Sequence, residues 1–331
     1  MKTAPLSLGL LVCSVIVALA QQPPSPPPPQ APAKPDSPEI KALIEQTRRA
    51  AGPMWASTVH FWCEEPRANR ADDPVIQPTK IFDNVFAIGN SGTTVYVLQT
   101  SAGLLMIDAL GSNQVDSQLL PGFQKLGLAP AQVKVILVAH GHADHFGGAA
   151  YFQEHFGSKV YVSAADWNLM ENPPAPRGRG PAGAASPIPR HDGEIRDGEA
   201  ITLGDLKVTP VAVPGHTPGA MGFIFPVKDN GVTHMAAMFG GVWLTPGLLS
   251  DEALQTYLMS VLRFKEATKK ANVDVLLQNH TLMDPIQDKL DKLAVRTRGE
   301  PDPFVVGANE YQKFLDVMEG CTRVNIARRK L

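Results

Sequence analysis

Three histidines and an aspartate fall within six residues, at His140, His142, Asp144 and His145, in the string Val138-Ala139-His140-Gly141-His142-Ala143-Asp144-His145-Phe146. In an extended chain alternate side chains point the same way, so His140 and His142 can reach one cation. Asp144 and His145 sit where the chain turns and can address a second cation beside the first. Four titratable groups at the end of an apolar run would be costly to bury without a shared partner. Two zincs need more than four ligands, and two further histidines have similar settings. His216 lies in Val213-Pro214-Gly215-His216-Thr217-Pro218-Gly219, and His280 in Leu277-Gln278-Asn279-His280-Thr281, each just past an apolar run. Ligands on loops at the strand ends of one sheet edge converge. His60, His155, His191 and His234 lack such a setting and read as surface or packing residues.

The elements that must carry these loops are legible from hydrophobic period. Residues 81–88 alternate as a strand, and 93–99 and 103–107 follow as strands. Residues 133–138, five of six apolar, form the strand ahead of His140 and suit burial on both faces. Further strands are expected at 159–162, 200–203, 206–213, 222–227, 233–239 and 273–277. Helical spacing occupies 114–126, 147–156, 251–271, 284–293 and 309–326, while 173–189 is too rich in Pro and Gly for anything but a long surface loop. Each half of the chain carries several strands before a helix. Two facing sheets with helices outside satisfy that order.

The net charge is −2, from 30 basic and 32 acidic residues, so no basic field is available for a phosphate backbone. The expected partner is a small-molecule substrate and not nucleic acid. Residues 1–20 read as a signal peptide: Met1-Lys2, an apolar stretch from Leu6 to Leu19, and Ala18-Leu19-Ala20 as the cleavage site. The stretch is shorter than the roughly 20 residues needed to span a bilayer. The expected location is periplasmic or secreted, with no membrane association beyond export. Val12 stands before Cys13 where lipoprotein processing wants a small residue. Residues 21–38 form a Pro-rich linker, 39–79 an N-terminal extension with a helix over 39–50, and 80–331 the main domain. After export Cys63 and Cys321 would meet an oxidising compartment, and the sequence leaves open whether they bridge. It does not set the oligomeric state.

The string from His140 to His145, the Pro-Gly-His-Thr-Pro-Gly run at 214–219 and the late Asn279-His280 pair resemble the metallo-β-lactamase superfamily, in the same order, over about residues 80–300. The resemblance implies an α/β fold, a four-layer αββα sandwich, with two Zn2+ at one edge. It assigns His140, His142 and His216 to the first zinc and Asp144, His145 and His280 to the second. Within the superfamily the chain most resembles the third subclass of metallo-β-lactamases. Residues 236–243 hold neither the Asp that bridges the metals in many superfamily hydrolases nor the Cys of the first two subclasses, and His145 takes the second-zinc role. Enzymes of that subclass carry a serine near Gly241 that helps hold the drug's carboxylate. Here glycine stands there, with Thr245 as a substitute hydroxyl.

The implied activity is opening of the β-lactam amide by a hydroxide held between the two zincs, with Asp144 binding metal and orienting the nucleophile. Hydrolysis of another ester, lactone or amide is the alternative that Gly241 and the long loop favour. A non-catalytic zinc-binding protein is the third reading, and the complete six-ligand set argues against it.

Overall fold

β-Branched and apolar residues recur at period two through two stretches of the chain, and each stretch builds a sheet. The computed structural model describes residues 35–64, 73–173, 186–244 and 249–331. The fold described is that of the compact unit Asp36–Leu331. Its first sheet runs in sequence order: β1 (Thr79–Phe82), β2 (Val85–Gly89), β3 (Thr94–Thr100), β4 (Gly103–Ile107), β5 (Val133–Leu137), β6 (Lys159–Val162) and β7 (Gly193–Glu194). The first four strands are antiparallel neighbours, and β4 to β7 are parallel. The second sheet has β8 (Ile201–Leu203), β9 (Leu206–Ala212), β10 (Met221–Asp229), β11 (Val232–Met238) and β12 (Val275–Leu276), with β12 parallel to β11.

The helices are α1 (Pro38–Ala51), α2 (Ala56–Val59), α3 (Leu120–Lys125), α4 (Ala143–Phe146), α5 (Ala149–Phe156), α6 (Ala164–Glu171), α7 (Asp251–Lys270), α8 (Ile286–Ala294) and α9 (Ala308–Arg328). Three apolar clusters define four layers. Ile107 and Leu137 of the first sheet meet Phe223, Phe225 and Met238 of the second in the interior. On the outer face of the first sheet, Val97, Met106 and Ile136 pack with Phe123, Phe152 and Trp167 of α3, α5 and α6. On the outer face of the second, Val211, Ile224 and Ala237 pack with Tyr257 and Phe264 of α7 and Phe314 of α9. This is the expected αββα sandwich of mixed sheets flanked by helices.

One expectation is corrected. The segment 81–88 is a hairpin and not one strand. Asp83 and Asn84 make the turn, which is fixed to β10 by Asp83 N–H donating to the Lys228 carbonyl (2.7 Å) and Lys228 N–H to Asn84 Oδ1 (3.0 Å). The packing is continuous across Lys80. Ile40, Ile44 and Ala51 form one buried stripe on α1, and with Trp55, Val59 and Trp62 they share a core with Tyr311, Phe314 and Met318 of α9. The residues read as an extension, from 39 onward, thus belong to the same compact unit as 80–331. Cys63 and Cys321 form a disulfide within that core, with Cα atoms 4.8 Å apart and a separation of 258 positions in sequence. The segments read as signal peptide and Pro-rich linker lie outside the described residues, except for the last of the linker. No helix among the described residues is long and apolar enough to cross a membrane.

Candidate metal centre

The loops that matter leave their strands at one edge of the sandwich. The chain leaves β5 at Leu137 and reaches His140, leaves β9 at Ala212 and reaches His216, and leaves β12 at Leu276 and reaches His280. Backbone hydrogen bonds sew the two sheets together there: Met221 N–H donates to the Ala139 carbonyl (2.8 Å) and Thr94 N–H to the Asn279 carbonyl (2.8 Å). α4 starts at Ala143, so the chain turns at His142 and swings Asp144 and His145 back toward the same point.

All six residues read as ligands converge. His142 Nδ1 lies 3.1 Å from His216 Nε2, and the imidazole of His140 sits beside both, with ring centroids 4.9 and 4.8 Å away. His145 Nε2 lies 3.1 Å from His280 Nε2 and 3.4 Å from Asp144 Oδ2, which is 4.0 Å from His280 Nε2. Ligand nitrogens at about 2.0–2.1 Å from a tetrahedral zinc are about 3.3 Å apart, so both groups have the required span. His140 lies between them: its ligand atoms fall within 4.8 Å of those of His142 and His216, and also of those of His145 and His280.

Polar satisfaction makes the same point. His140 is fully buried, yet neither of its ring nitrogens has a hydrogen-bond partner among the described residues, nor does Nδ1 of His216. A buried polar atom left unpaired costs about 1–3 kcal/mol. The donor set, the spans and these orphaned nitrogens fit a divalent cation.

Residues outside the six aim the ligands. Asp108, buried at the end of β4 with φ +63°, accepts from Ala139 N–H on Oδ1 (2.8 Å). Its Oδ2 accepts from His145 Nδ1 (2.7 Å) and Asn279 Nδ2 (2.9 Å). His280 Nδ1 donates to the Gly92 carbonyl (2.8 Å). Both interactions leave Nε2 of His145 and His280 directed at the cation position. Thr93 Oγ1 donates to Asp144 Oδ2 (3.3 Å). Asp166, at the start of α6, accepts from Gly141 N–H and the Thr217 hydroxyl on Oδ2 (2.8 and 2.7 Å) and from Gly219 N–H on Oδ1 (2.8 Å).

Burial lowers the affinity of His140, His142, His216 and His280 for a proton, and the neighbouring imidazoles add to it; His280 falls to about 4. For His145 burial works in the same direction, but the Asp144 and Asp108 carboxylates outweigh it and hold the imidazole up at about 10. Burial would raise the Asp144 carboxyl, and the charge of His145 instead holds it well below the usual carboxylate range. The pocket therefore favours positive charge between Asp144 and His145, which a metal ion and a proton would compete to supply.

Asp108 and Asp166 were not singled out from the sequence. The only sequence signal for Asp108 is an acidic residue ending an apolar strand, and for Asp166 an acidic residue in a helix first turn. The substrate residues fare differently. Gly241 borders the site at φ +67°, and a Cβ there would meet the His216 ring instead of open space. Thr245 lies outside the described residues. The remaining histidines stay apart from the centre: His155 stacks on Tyr151, His191 stacks on Trp167, His60 pairs with Glu64 and His234 with Asp274.

The sequence profile of the metallo-β-lactamase superfamily matches residues 88–230. Residues 88–230 are a metallo-β-lactamase superfamily domain. Among solved structures, the subclass B3 metallo-β-lactamase BJP-1 of Bradyrhizobium japonicum is similar with a TM-score of 0.64 and 27% identity, over 78% of this chain and 94% of that one. Native FEZ-1 of Legionella gormanii, at 20% identity and a TM-score of 0.60, shares the fold over 79% of this chain and 95% of its own. In sequence, the chain is 29% identical to the hydroxyacylglutathione hydrolase GloC of Haemophilus influenzae over 46% of this chain and 73% of that protein. It is 28% identical to the exodeoxyribonuclease WalJ of Streptococcus pneumoniae over 44% of this chain, spanning only half of that relative's length. The fold of these proteins implies a divalent metal, typically zinc, and the two histidine clusters of this chain fit one.

Proposed function

We propose that this chain is an exported dizinc hydrolase that opens the amide of β-lactams. The observation that carries the reading is the ligand set. His140, His142 and His216 form one triad and Asp144, His145 and His280 the other, while the turn after β11, Gly240-Gly241, offers no carboxylate or thiolate to the metals. The likeness to subclass B3 structures over more than three quarters of the chain supports the substrate class.

Zinc held in the two triads would lower the pKa of water to about 7 and polarise a carbonyl. The chain's own residues do the rest. His140, His142 and His216 would hold one cation, the one that polarises the carbonyl. Asp144, steadied by Thr93, would hold the second with His145 and His280 and would orient the attacking water. Asp108 and Gly92 lock the ring orientations, so little reorganisation is needed as charge develops. A cleft of about 360 Å3, lined by Pro214, His216, Thr217, Leu249, Ser250 and Thr256 among others, opens beside the first triad and is of the size used by small ligands.

A second reading is hydrolysis of a thioester or ester. The sequence likeness to a hydroxyacylglutathione hydrolase favours it, as does the lack of room for a hydroxyl-bearing side chain at Gly241. Comparison of kcat/KM for zinc-loaded protein on a penicillin, a cephalosporin, a carbapenem, a lactone and a glutathione thioester separates the two. The β-lactam reading expects the highest values on a β-lactam, and a thioester or lactone preferred by orders of magnitude refutes it.

A further inference from the structure

Asp166 lies in none of the three ligand loops, yet it is fully buried and every described hydrogen bond to its carboxylate comes from two of them. Gly141 is the residue between His140 and His142. Thr217 and Gly219 follow His216. One carboxylate therefore spans the two loops that together make up the first triad. The second triad depends on other anchors, namely Asp108, Asn279 and the Gly92 carbonyl.

The packing shows how closely the helix and the loop are fitted. Ser163 caps α6, its hydroxyl accepting from Asp166 N–H at 3.3 Å. A Cβ at Gly219 would lie 2.0 Å from Ser163 Oγ, 2.6 Å from Asp166 N and 2.9 Å from Asp166 Cγ, so only glycine lets the loop reach the carboxylate. Burying a carboxylate is costly, and burial does push the Asp166 carboxyl up. Three donors, two of them backbone N–H groups that cannot turn away, offset that cost at one point only: the junction of the two loops.

We propose that Asp166 is a positioning residue that sets the spacing of His140 and His142 against His216, so that it governs metal affinity at the first triad and leaves the second untouched. The proposal rests on the reading of these histidines as zinc ligands. It predicts a site-selective effect, which a carboxylate that merely braced the fold would not produce. Asp166→Asn must turn an amide N–H toward a donor whichever way it is flipped, since both oxygens face backbone N–H groups. Thr217→Val removes one donor with little change of shape, and Thr217→Ser keeps it.

The test is zinc binding to metal-stripped full-length protein by competition with a chromogenic chelator, with thermal unfolding of the stripped protein alongside. Asp166→Asn is placed in a His280→Ala background, which leaves the first triad, and in a His216→Ala background, which leaves the second. The expected result is a 10–100-fold loss of zinc affinity in the first background and less than threefold in the second. Thr217→Val should follow Asp166→Asn with a smaller loss, and Thr217→Ser should recover it. Equal losses at both triads, or none at either while His216→Ala loses one zinc, overturn the proposal. A His216→Ala protein that still binds two zincs instead overturns the ligand reading beneath it. If Asp166→Asn does not fold, Thr217→Val against Thr217→Ser decides: equal zinc affinity in the His280→Ala background overturns the proposal.

Discussion

Gly241 leaves no room for a side chain beside His216: a Cβ built there would lie 2.8 Å from His216 Cβ and 3.0 Å from both Cγ and Cδ2. Its φ of +67° is in the left-handed region, which costs a residue with a side chain about 1–2 kcal/mol even in open space. Gly241→Ser should therefore push His216 off the first triad instead of adding a substrate contact. The expected outcome is a lower zinc content after dialysis and a lower melting temperature, with activity falling in parallel. Serine at 241 with full zinc loading and a reduced KM for β-lactams would refute this reading of the turn.

The Asp108 carboxylate joins three segments, the start of the His140 loop at Ala139, His145 and Asn279. In Asp108→Asn the amide must direct an N–H at one of these donors. Removing such an orienting partner commonly weakens metal binding about 10–100-fold. The loss should fall on the zinc held by His145 and His280. Chelator competition in the His216→Ala background measures it, and unchanged affinity there would show that His145 does not need its carboxylate partner.

Much of this centre could be read before any coordinates. The six residues read as ligands cluster in short strings after apolar runs, and both the spacing and the preceding strands are local signals. Gly103–Ile107 and Lys159–Val162 begin and end where hydrophobic period places them. What escaped is set by distance along the chain. Asp108 meets His145 across 37 positions and Asp166 meets Thr217 across 51, and no periodicity links such pairs. The partner of the α1 stripe at Ile40, Ile44 and Ala51 was not legible, because α9 is encoded at the other end of the chain. Gly241 is glycine because of the His216 ring, a neighbour that only the fold supplies.

The Cys63–Cys321 bridge ties the segment after α2 to α9. It closes a loop of more than 250 residues, and disulfides of this kind stabilise by about 2–5 kcal/mol, chiefly by restricting the unfolded chain. The double variant Cys63→Ser, Cys321→Ser should melt at a lower temperature while binding zinc as before at 25 °C. Thiol counting on denatured, unreduced protein checks the premise, since two reactive thiols would mean that the bridge does not form.

The central claim is that the two triads together cleave a β-lactam amide. Mass spectrometry of a penicillin and a carbapenem, each incubated with zinc-loaded protein, tests it most directly. The account predicts that the drug gains the mass of one water, that a strong chelator abolishes the change and zinc restores it, and that His280→Ala lowers the rate by orders of magnitude. Protein shown by elemental analysis to carry two zincs, and still leaving every β-lactam intact, would contradict it.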